Sequence, residues 1–292
     1  MTLEQLRVFV AVAERQHLTR AAETLHLTPS AASASIRTLE ARYGVRFFHR
    51  VGRGIELTET GRLFLGEAQA ILARAQAAEL VFSDLGGLRR GSVAVHASQT
   101  IASYWLPPVL VRFRQRHPAL TVRLSVGNTQ TVAEAVAEGI ADLGFIEGDI
   151  DEPRLARHVI AHDRLIVVVR PSHPWAALES IAPAMFASGP WVMREQGSGT
   201  RSAFETALAR RAIAPDMLKV TLELPSNEAI LAAVQSAPVA GALSELVTRP
   251  HLEAGRLVAL PFEMPPRDYA VLRHKERYQT RASQALEEML TE

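Results

Sequence analysis

The chain has 292 residues, of which 48% are hydrophobic, and a formal net charge of +1, so it is long for one ordinary domain and we expect two or more. Cysteine is absent, which excludes disulfides, thiolate metal sites, iron–sulfur clusters and cysteine nucleophiles. The N-terminus lacks the pattern of a secretion signal and no apolar run is long enough to span a bilayer. We therefore expect a cytoplasmic protein without a membrane partner.

The charge is unevenly distributed along the chain. Residues 1–90 contain 12 Arg against 9 Asp or Glu, a balance of +3, whereas the remaining residues carry a balance of −2. A basic N-terminal part on a near-neutral body fits a nucleic-acid-binding head, although the bias is small.

Hydrophobic spacing predicts three helices at the N-terminus. The first covers residues 3–15 and the second residues 19–25. Thr28 can cap the third helix, with Pro29 at its first position and Gly44 at its end. The short link at residues 26–28 has the length found in helix-turn-helix motifs.

A β-hairpin and a long helix are predicted next. Residues 45–48 and 55–57 are strand-like, and the glycine-bracketed segment 50–54 between them carries arginine at its tip, which is typical of a wing. Residues 58–85 form a helix with apolar side chains at alternating steps of four and three, which predicts a homodimer seam. The seam residues are Phe64, Ala68, Ile71, Ala75, Ala78, Phe82 and Leu85. The alternative is that this helix lies on its own C-terminal domain. In either case, Gly86-Gly87 is expected to end the helix and to supply a hinge.

From Gly91 onward, strand-like and helical segments alternate, which predicts βαβ units and a largely parallel sheet. Strands are expected at 92–97, 120–126, 141–146, 165–169, 191–193, 220–224, 239–243 and 269–273, and helices at 104–115, 132–138, 178–186, 203–211, 228–235 and 283–290. The pattern restarts once, so we expect two lobes, I (91–163 and 266–292) and II (164–265), connected near residues 162–164 and 265–269.

The predicted fold class is therefore multidomain. An α-rich winged helix-turn-helix (1–58) and a linker, or dimerisation, helix (59–87) precede an α/β bilobal domain (88–292).

The first 65 residues resemble the signature of the LysR-type regulators, in the segments LEQLRVFVAVAE, TRAAETLHLT, SAAS, LEARYGVRFFHR and LTETG. The resemblance extends over the rest of the chain in length and bilobal pattern. It implies a transcription regulator that binds double-stranded promoter DNA, with a periplasmic-binding-protein-like domain for a small effector. It also implies a tetramer assembled as a dimer of dimers, with RNA polymerase considered as a further partner.

The predicted DNA-contacting residues are Arg20, Thr28, Pro29, Ser30, Ser33, Ala34, Ser35, Arg37, Arg50 and Arg53. Pro29 and Ala34 stand where the family commonly has Gln and Arg, so we expect readout by the serines, by Arg37, by contacts with thymine methyls and by Arg53 in the minor groove. Alternatives stay open: Thr28 only caps its helix, Ser33 and Ser35 are solvated surface, and Arg50 pairs with Glu56.

Polar segments at four predicted strand ends should form the effector site. Its predicted residues are Ser98, Gln99, Thr100, Asn128, Thr129, Glu147, Gly197, Ser198, Gly199, Thr200, Arg201 and Asn227. The segment 197–201 combines glycines, hydroxyls and Arg201 at a helix start, which describes an anion cradle. The alternative is that it only turns the chain and caps the helix.

The ligand class follows from a further resemblance. The cleft segments resemble the branch that includes regulators of sulfur assimilation, sulfite response and carbon fixation, which favours a small inorganic oxyanion or a phosphorylated metabolite. Glu147 would repel an anion unless Arg194 or Arg201 lies beside it; otherwise it selects a ligand with a positive or hydrogen-bearing group.

Other function classes have little support. No nucleophile–base constellation or metal set is present, and His158 and His162 lie in a strand-like stretch, so we expect no catalytic residue, no metal and no cofactor beyond the effector. The alternative function is a solute-binding or sensor protein without direct promoter control.

Overall fold

The computed structural model describes residues 1–51, 54–84 and 91–290, apart from the side chains at 76, 77, 79–84, 183 and 188. The chain divides into two compact units, Met1–Leu85 and Gly86–Glu292. The predicted positions Arg53, Leu85 and Gly86-Gly87 lie outside the described residues. Across the described ranges, none of the helices is long and apolar enough to cross a membrane.

Three helices open the first unit, close to their predicted positions: α1 (Leu3–Arg15), α2 (Leu18–Thr24) and α3 (Pro29–Tyr43). The start of α3 is capped as predicted, because the side chain of Thr28 accepts a hydrogen bond from the N–H of Ala31 at 3.2 Å. Pro29 occupies the first helical position, where a backbone N–H would have no partner within the helix. Gly44 ends the helix with a φ of 66°, a left-handed conformation that favours glycine.

The wing consists of β1 (Phe48–Val51) and β2 (Gly54–Leu57), which pair antiparallel. The first strand was expected from Val45, but Phe47 is buried and its N–H donates to Glu40 Oε1 at 2.8 Å, which holds this stretch against α3 instead of in the hairpin. Arg50 lies within β1 opposite Ile55, not at the tip. Glu56 faces His49 at 3.7 Å, so the alternative pairing of Arg50 with Glu56 is wrong.

The long helix α4 covers Glu59–Asp84. Its first half packs inside its own unit: Ala68 is fully buried, and the ring of Phe64 stacks on that of Phe47 with centroids 4.7 Å apart. The assignment of Ala68 to a seam with a partner is therefore corrected, because the three-helix core already covers it, whereas Phe64 is half-buried and its place in the seam stays a prediction. Further along, Ile71 and Ala78 are exposed and Ala75 is half-buried, whereas the side chain of Phe82 lies outside the described residues.

The second unit is an α/β structure. In chain order it contains β3 (Gly91–Ser98), a π-helical turn (Ile101–Trp105), α5 (Leu106–Arg116), β4 (Leu120–Gly127), α6 (Thr129–Glu138), β5 (Leu143–Glu147), β6 (Leu155–Asp163), β7 (Leu165–Val169), α7 (Pro183–Ser188), β8 (Pro190–Arg194), α8 (Gly199–Ala209), a 3-10 helix (Pro215–Met217), β9 (Lys219–Leu224), α9 (Asn227–Ser236), β10 (Gly241–Ser244), α10 (Glu245–Glu253), β11 (Val258–Ala259), β12 (Arg267–His274) and α11 (Arg281–Glu288).

Three sheets form two lobes in this unit. Lobe I has the strand order β4-β3-β5-β12-β6, and lobe II has β10-β7-β11 and β8-β9, linked by a bridge between Trp191 and Ala240. The expected parallel arrangement holds for β4-β3-β5 and for β8-β9. It is wrong for β12 and for the strands around β7, which pair antiparallel. The chain leaves lobe I after β6 and returns along β12, so these neighbours run in opposite directions.

Some elements differ from the sequence pattern. The helix expected at 178–186 is displaced to α7, because Pro183 is tolerated only in the first turn of a helix. Helix α10 was not predicted, since it contains Pro250, and β6 was predicted only at its end. Each lobe has its own apolar core, one around Trp191 and Phe204 and the other around Phe113 and Phe145. The cores leave the polar strand ends between the lobes.

Candidate functional site

Helix α3 presents one exposed face in the first unit. Ala32, Ile36 and Leu39 are buried in the three-helix core. Ser30, Ala34 and Arg37, spaced by four and three residues, lie on the opposite, exposed side. Ser33 and Ser35 are half-buried on the flanks of this face, as intermediate positions on a helix should be. The short side chain of Ala34 thus occupies the middle of the surface that a duplex would meet.

Exposed positive charge is found on α3 itself, on α2 and on the wing strand β1. Arg20, Arg37 and Arg50 are exposed, and within the described ranges none of them pairs with an acidic side chain. Thr28 fulfils its capping role and its hydroxyl also lies 3.1 Å from that of Ser30. Unpaired guanidinium groups keep their full capacity to bind phosphate.

A second cluster of polar side chains lies between the lobes of the second unit. These side chains stand at the carboxyl ends of strands and the first turns of helices, as the sequence predicted. Seven of the predicted residues are at most 4% exposed, namely Ser98, Thr100, Thr129, Glu147, Ser198, Thr200 and Asn227. Gln99, Asn128 and Gly197 are partly exposed at its edge.

The carboxyl group of Glu147 is at the centre of this cluster. It accepts hydrogen bonds from Ser98 Oγ, from Thr100 Oγ1 at 3.1 Å and from Thr200 Oγ1 at 3.5 Å. Two of these donors belong to lobe I and the third to lobe II. Arg267 brings Nη1 to 3.8 Å from Glu147 Oε1. Burial raises the pKa of Glu147, and the nearby Arg267 and Arg194 only partly oppose this.

Two groups that can only donate contact the threonine hydroxyls. Thr100 Oγ1 accepts from Asn227 Nδ2 at 2.9 Å, and Thr200 Oγ1 accepts from Arg267 Nη1 at 3.1 Å. Because a hydroxyl has one proton, each threonine has its own proton available for Glu147. The carboxyl group is therefore held as an acceptor by both lobes.

Arg267 was missed by the sequence prediction, as was its partner Asp163. Its Nε and Nη2 donate to Asp163 Oδ2 at 2.9 and 2.7 Å, and Ser244 Oγ donates to Asp163 Oδ1 at 2.8 Å. Both charged side chains are nearly inaccessible. A signal was present in the sequence, because opposite charges stand in the two segments predicted to connect the lobes, and Arg267 and Asp163 are directly paired between β12 and β6.

The other two arginines near the cluster are already neutralised. Arg194 donates to both carboxylate oxygens of Glu195 at 2.7 and 2.8 Å, and to Asn227 Oδ1 at 2.9 Å. Arg201 donates to Glu205 at 2.8 Å and to Glu223. The expected role of Arg201 as the cation of an anion cradle is thus corrected, because two carboxylates on its own helix and on β9 neutralise its charge.

Backbone and side chains around residues 197–200 join the lobes further. The N–H of Gln130 in lobe I donates to the carbonyl of Gly197 in lobe II at 3.2 Å, and within lobe I Thr129 Oγ1 donates to the carbonyl of Glu147 at 3.0 Å. A Cβ at Gly199 would fall against the same Glu147 carbonyl and 2.5 Å from Thr129 Oγ1, so only glycine fits here. Ser198 Oγ is buried without a hydrogen-bond partner. At the edge, Gln99 Oε1 accepts from the N–H of Asn227 at 2.8 Å.

Nothing in the described ranges groups three His, Asp or Glu side chains in a way that could hold a metal ion. His162 lies on β6 with Nδ1 3.0 Å from Asp268, and Asp268 also accepts from Arg157 at 2.9 Å. This pairing gives His162 a structural role on the surface of lobe I.

Comparison with known proteins assigns both units. Residues 3–62 match the model of the bacterial regulatory helix-turn-helix protein of the lysR family, and residues 86–292 match the LysR substrate binding domain. The uncharacterised transcriptional regulator YeiE of Escherichia coli K12 is 35% identical over 288 residues, which cover 97% of this chain and 94% of the relative. The RuBisCO operon transcriptional regulator of Allochromatium vinosum is 33% identical, with coverage of 100% and 96%.

Among solved structures, the regulatory domain of CcmR from Synechocystis PCC6803 in complex with 2-PG matches with a TM-score of 0.62 and 25% identity, over 69% of this chain and 96% of that domain. The relatives are named as transcription regulators, a class without catalytic activity. With a DNA-binding domain followed by an effector-binding domain along nearly its whole length, the chain belongs to the LysR family of transcription regulators.

Proposed function

We propose that this regulator binds promoter DNA through the exposed face of α3 and is controlled by a small oxyanion, inorganic or phosphorylated, bound between lobes I and II. The observation that carries the effector proposal is the convergence of buried hydroxyls from both lobes, with Ser198 Oγ still unpartnered at the first turn of α8. Hydroxyls and helix N-termini are the usual partners of an oxyanion. The related CcmR domain with bound 2-PG supports an effector in this domain.

DNA binding is tested by replacing Arg37, which is exposed on α3 and has its charge free. We expect Arg37→Ala to weaken binding to the promoter beside its own gene about tenfold, and to lower the slope of log K against log salt by about 1 if it contacts phosphate. Gel shifts over a range of salt concentrations measure both. Arg7→Ala is the control, because Arg7 is equally exposed but lies on α1 and pairs with Glu4.

Absence of a shift with the unchanged protein at moderate salt would contradict promoter binding and favour the alternative, a sensor without direct promoter control.

The mass of the shifted complex, measured by sedimentation, tests two further proposals: a homodimer joined through Ile71, Ala75, Ala78 and Phe82 of α4, and a homotetramer formed from two dimers. RNA polymerase is proposed as a partner and the cytoplasm as the location, since both accompany work on promoter DNA.

The effector proposal predicts that one anion among sulfite, sulfate, thiosulfate, phosphate and phosphorylated metabolites raises the Tm of the full chain by mass action. Thr200→Val keeps the side-chain volume but removes the hydroxyl that donates to Glu147, so it should abolish the ligand-dependent rise. Thr206→Val on the exposed side of the same helix is the matched control. An equal rise in both variants would place the ligand elsewhere.

A further inference from the structure

We propose that the carboxylate of Glu147 is an internal occupant of the effector site, which takes the hydrogen bonds of an incoming oxyanion and must release them before the effector binds. Glu147 would then set the specificity of the site, which admits only anions able to displace a carboxylate. This inference rests on the proposed function, since it concerns the same cleft.

The surroundings of Glu147 have the composition of a complete oxyanion site. Three hydroxyls donate to its oxygens, and the guanidinium of Arg267 lies at 3.8 Å. A side-chain carboxylate is chemically equivalent to a bound formate or acetate ion. The donors come from the end of β3 and the turn after it in lobe I and from α8 in lobe II, so the arrangement is the one expected around a ligand held between two lobes.

The hydroxyls cannot serve Glu147 and an effector together. Thr100 and Thr200 each accept a hydrogen bond from a group that only donates, and each hydroxyl has a single proton to give. A free oxyanion that takes these two protons leaves the carboxylate of Glu147 buried with only Ser98 as a hydroxyl donor, which is costly for a charged group. Binding and retention of Glu147 in its present position thus exclude each other.

Charge leads to the same conclusion. The charged groups that face Glu147 are Arg267, Asp163 and Arg194, and Glu195 neutralises Arg194. The guanidinium of Arg267 also pairs with the carboxylate of Asp163 at 2.7 Å, so its positive charge is already balanced and does not attract a second anion beside Glu147. When Glu147 turns away or takes up a proton, its hydroxyl donors and its share of Arg267 become available. We therefore expect effector binding to be accompanied by loss of the Thr200–Glu147 contact between the lobes.

Chemical rescue of the full chain tests this. Glu147→Ala should leave a space lined by Ser98, Thr100, Thr200 and Arg267 that formate can fill. We expect formate to raise the Tm of this variant by about 2 to 4 °C relative to equal concentrations of chloride. The unchanged protein and the control Glu134→Ala, an exposed carboxylate on α6 of the same lobe, should not respond. If the alanine variant does not fold, Glu147→Ser leaves similar space and takes its place.

A Glu147 variant that folds without a response to formate would overturn the proposal, as would an equal response in the unchanged protein. Sulfate binding, measured by calorimetry, separates this inference from the proposed function. We expect Glu147→Gln to bind sulfate at least tenfold more tightly than the unchanged protein, because the competing charge is gone. Unchanged affinity would overturn the inference, whereas formate rescue without sulfate binding in any variant would uphold Glu147 as the occupant of an anion site and count against sulfate as the effector.

Discussion

Asp163→Ala should lower the free energy of unfolding of the effector-binding domain by about 3 to 5 kcal/mol, the largest effect that we expect from any single substitution in this chain. Asp163 and Arg267 are both nearly inaccessible, and their guanidinium–carboxylate contact is 2.7 Å long. Removal of the carboxylate leaves Arg267 buried with Thr200 as its hydrogen-bond acceptor and Glu147 at 3.8 Å. A buried charge that loses its close partner costs much more than the pair contributes.

Urea unfolding followed by tryptophan fluorescence measures this effect selectively. The chain has 3 Trp, at positions 105, 175 and 191, and all belong to the effector-binding domain. The control is Asp268→Ala, which removes a partly exposed carboxylate on β12 that pairs with Arg157 on β6 and should cost at most about 1 kcal/mol. Equal costs for the two variants would contradict the buried pair as a main stabilising contact.

Gly199→Ala should abolish the response to the effector. The added Cβ would meet the carbonyl of Glu147 and Thr129 Oγ1, and a backbone carbonyl at the end of a sheet strand has little freedom to move. We expect the lobes to separate locally, with loss of the Thr200–Glu147 contact between them, displacement of Thr129 from the carbonyl of Glu147 within lobe I, and a cost in stability of about 1 to 3 kcal/mol.

The ligand-dependent rise in Tm and the ligand-dependent change in promoter binding measure this loss of response. Gly91→Ala is the control within the same domain, because its Cβ would lie 3.4 Å from Leu120 and 3.9 Å from Ala282, in ordinary contact. A Gly199→Ala protein with an undiminished ligand response would show that close approach of the lobes is not required for binding.

Local features of the fold were readable from the sequence. The caps of α3 depend on Thr28, Pro29 and Gly44 alone, and the structure has all three in their predicted roles. The strand ends that carry Ser98 and Glu147 were predictable because buried strands are marked by short apolar runs that end in polar residues. Contacts between residues that are distant in the sequence were not predicted. The start of β1 depends on Glu40, seven residues before Phe47, and no local pattern marks that hydrogen bond.

Electrostatic roles were the least predictable part of the site. Arg201 has the right position for an anion cradle, but its charge is taken by Glu223, which reaches it only because β9 pairs with β8. Arg267 and Asp163 are separated by 104 residues and meet through the antiparallel register of β12 and β6. Similarly, the heptad spacing of α4 identified an apolar side at Phe64 and Ala68, but spacing alone does not tell which surface covers it.

The paired crossover strands limit how the sensor can move. Strands β6 and β12 are paired from Arg267–Asp163 to His274–Leu155, with one irregularity between Tyr269 and Ala270, and the Arg267–Asp163 salt bridge lies at the end of this ladder where both segments enter lobe II. Two chains fastened side by side resist sliding and splaying, so the principal freedom left to the lobes is rotation about one axis. The occupancy of the cleft would then be transmitted as a single angle, and ligands of different shape would differ in how far they turn it.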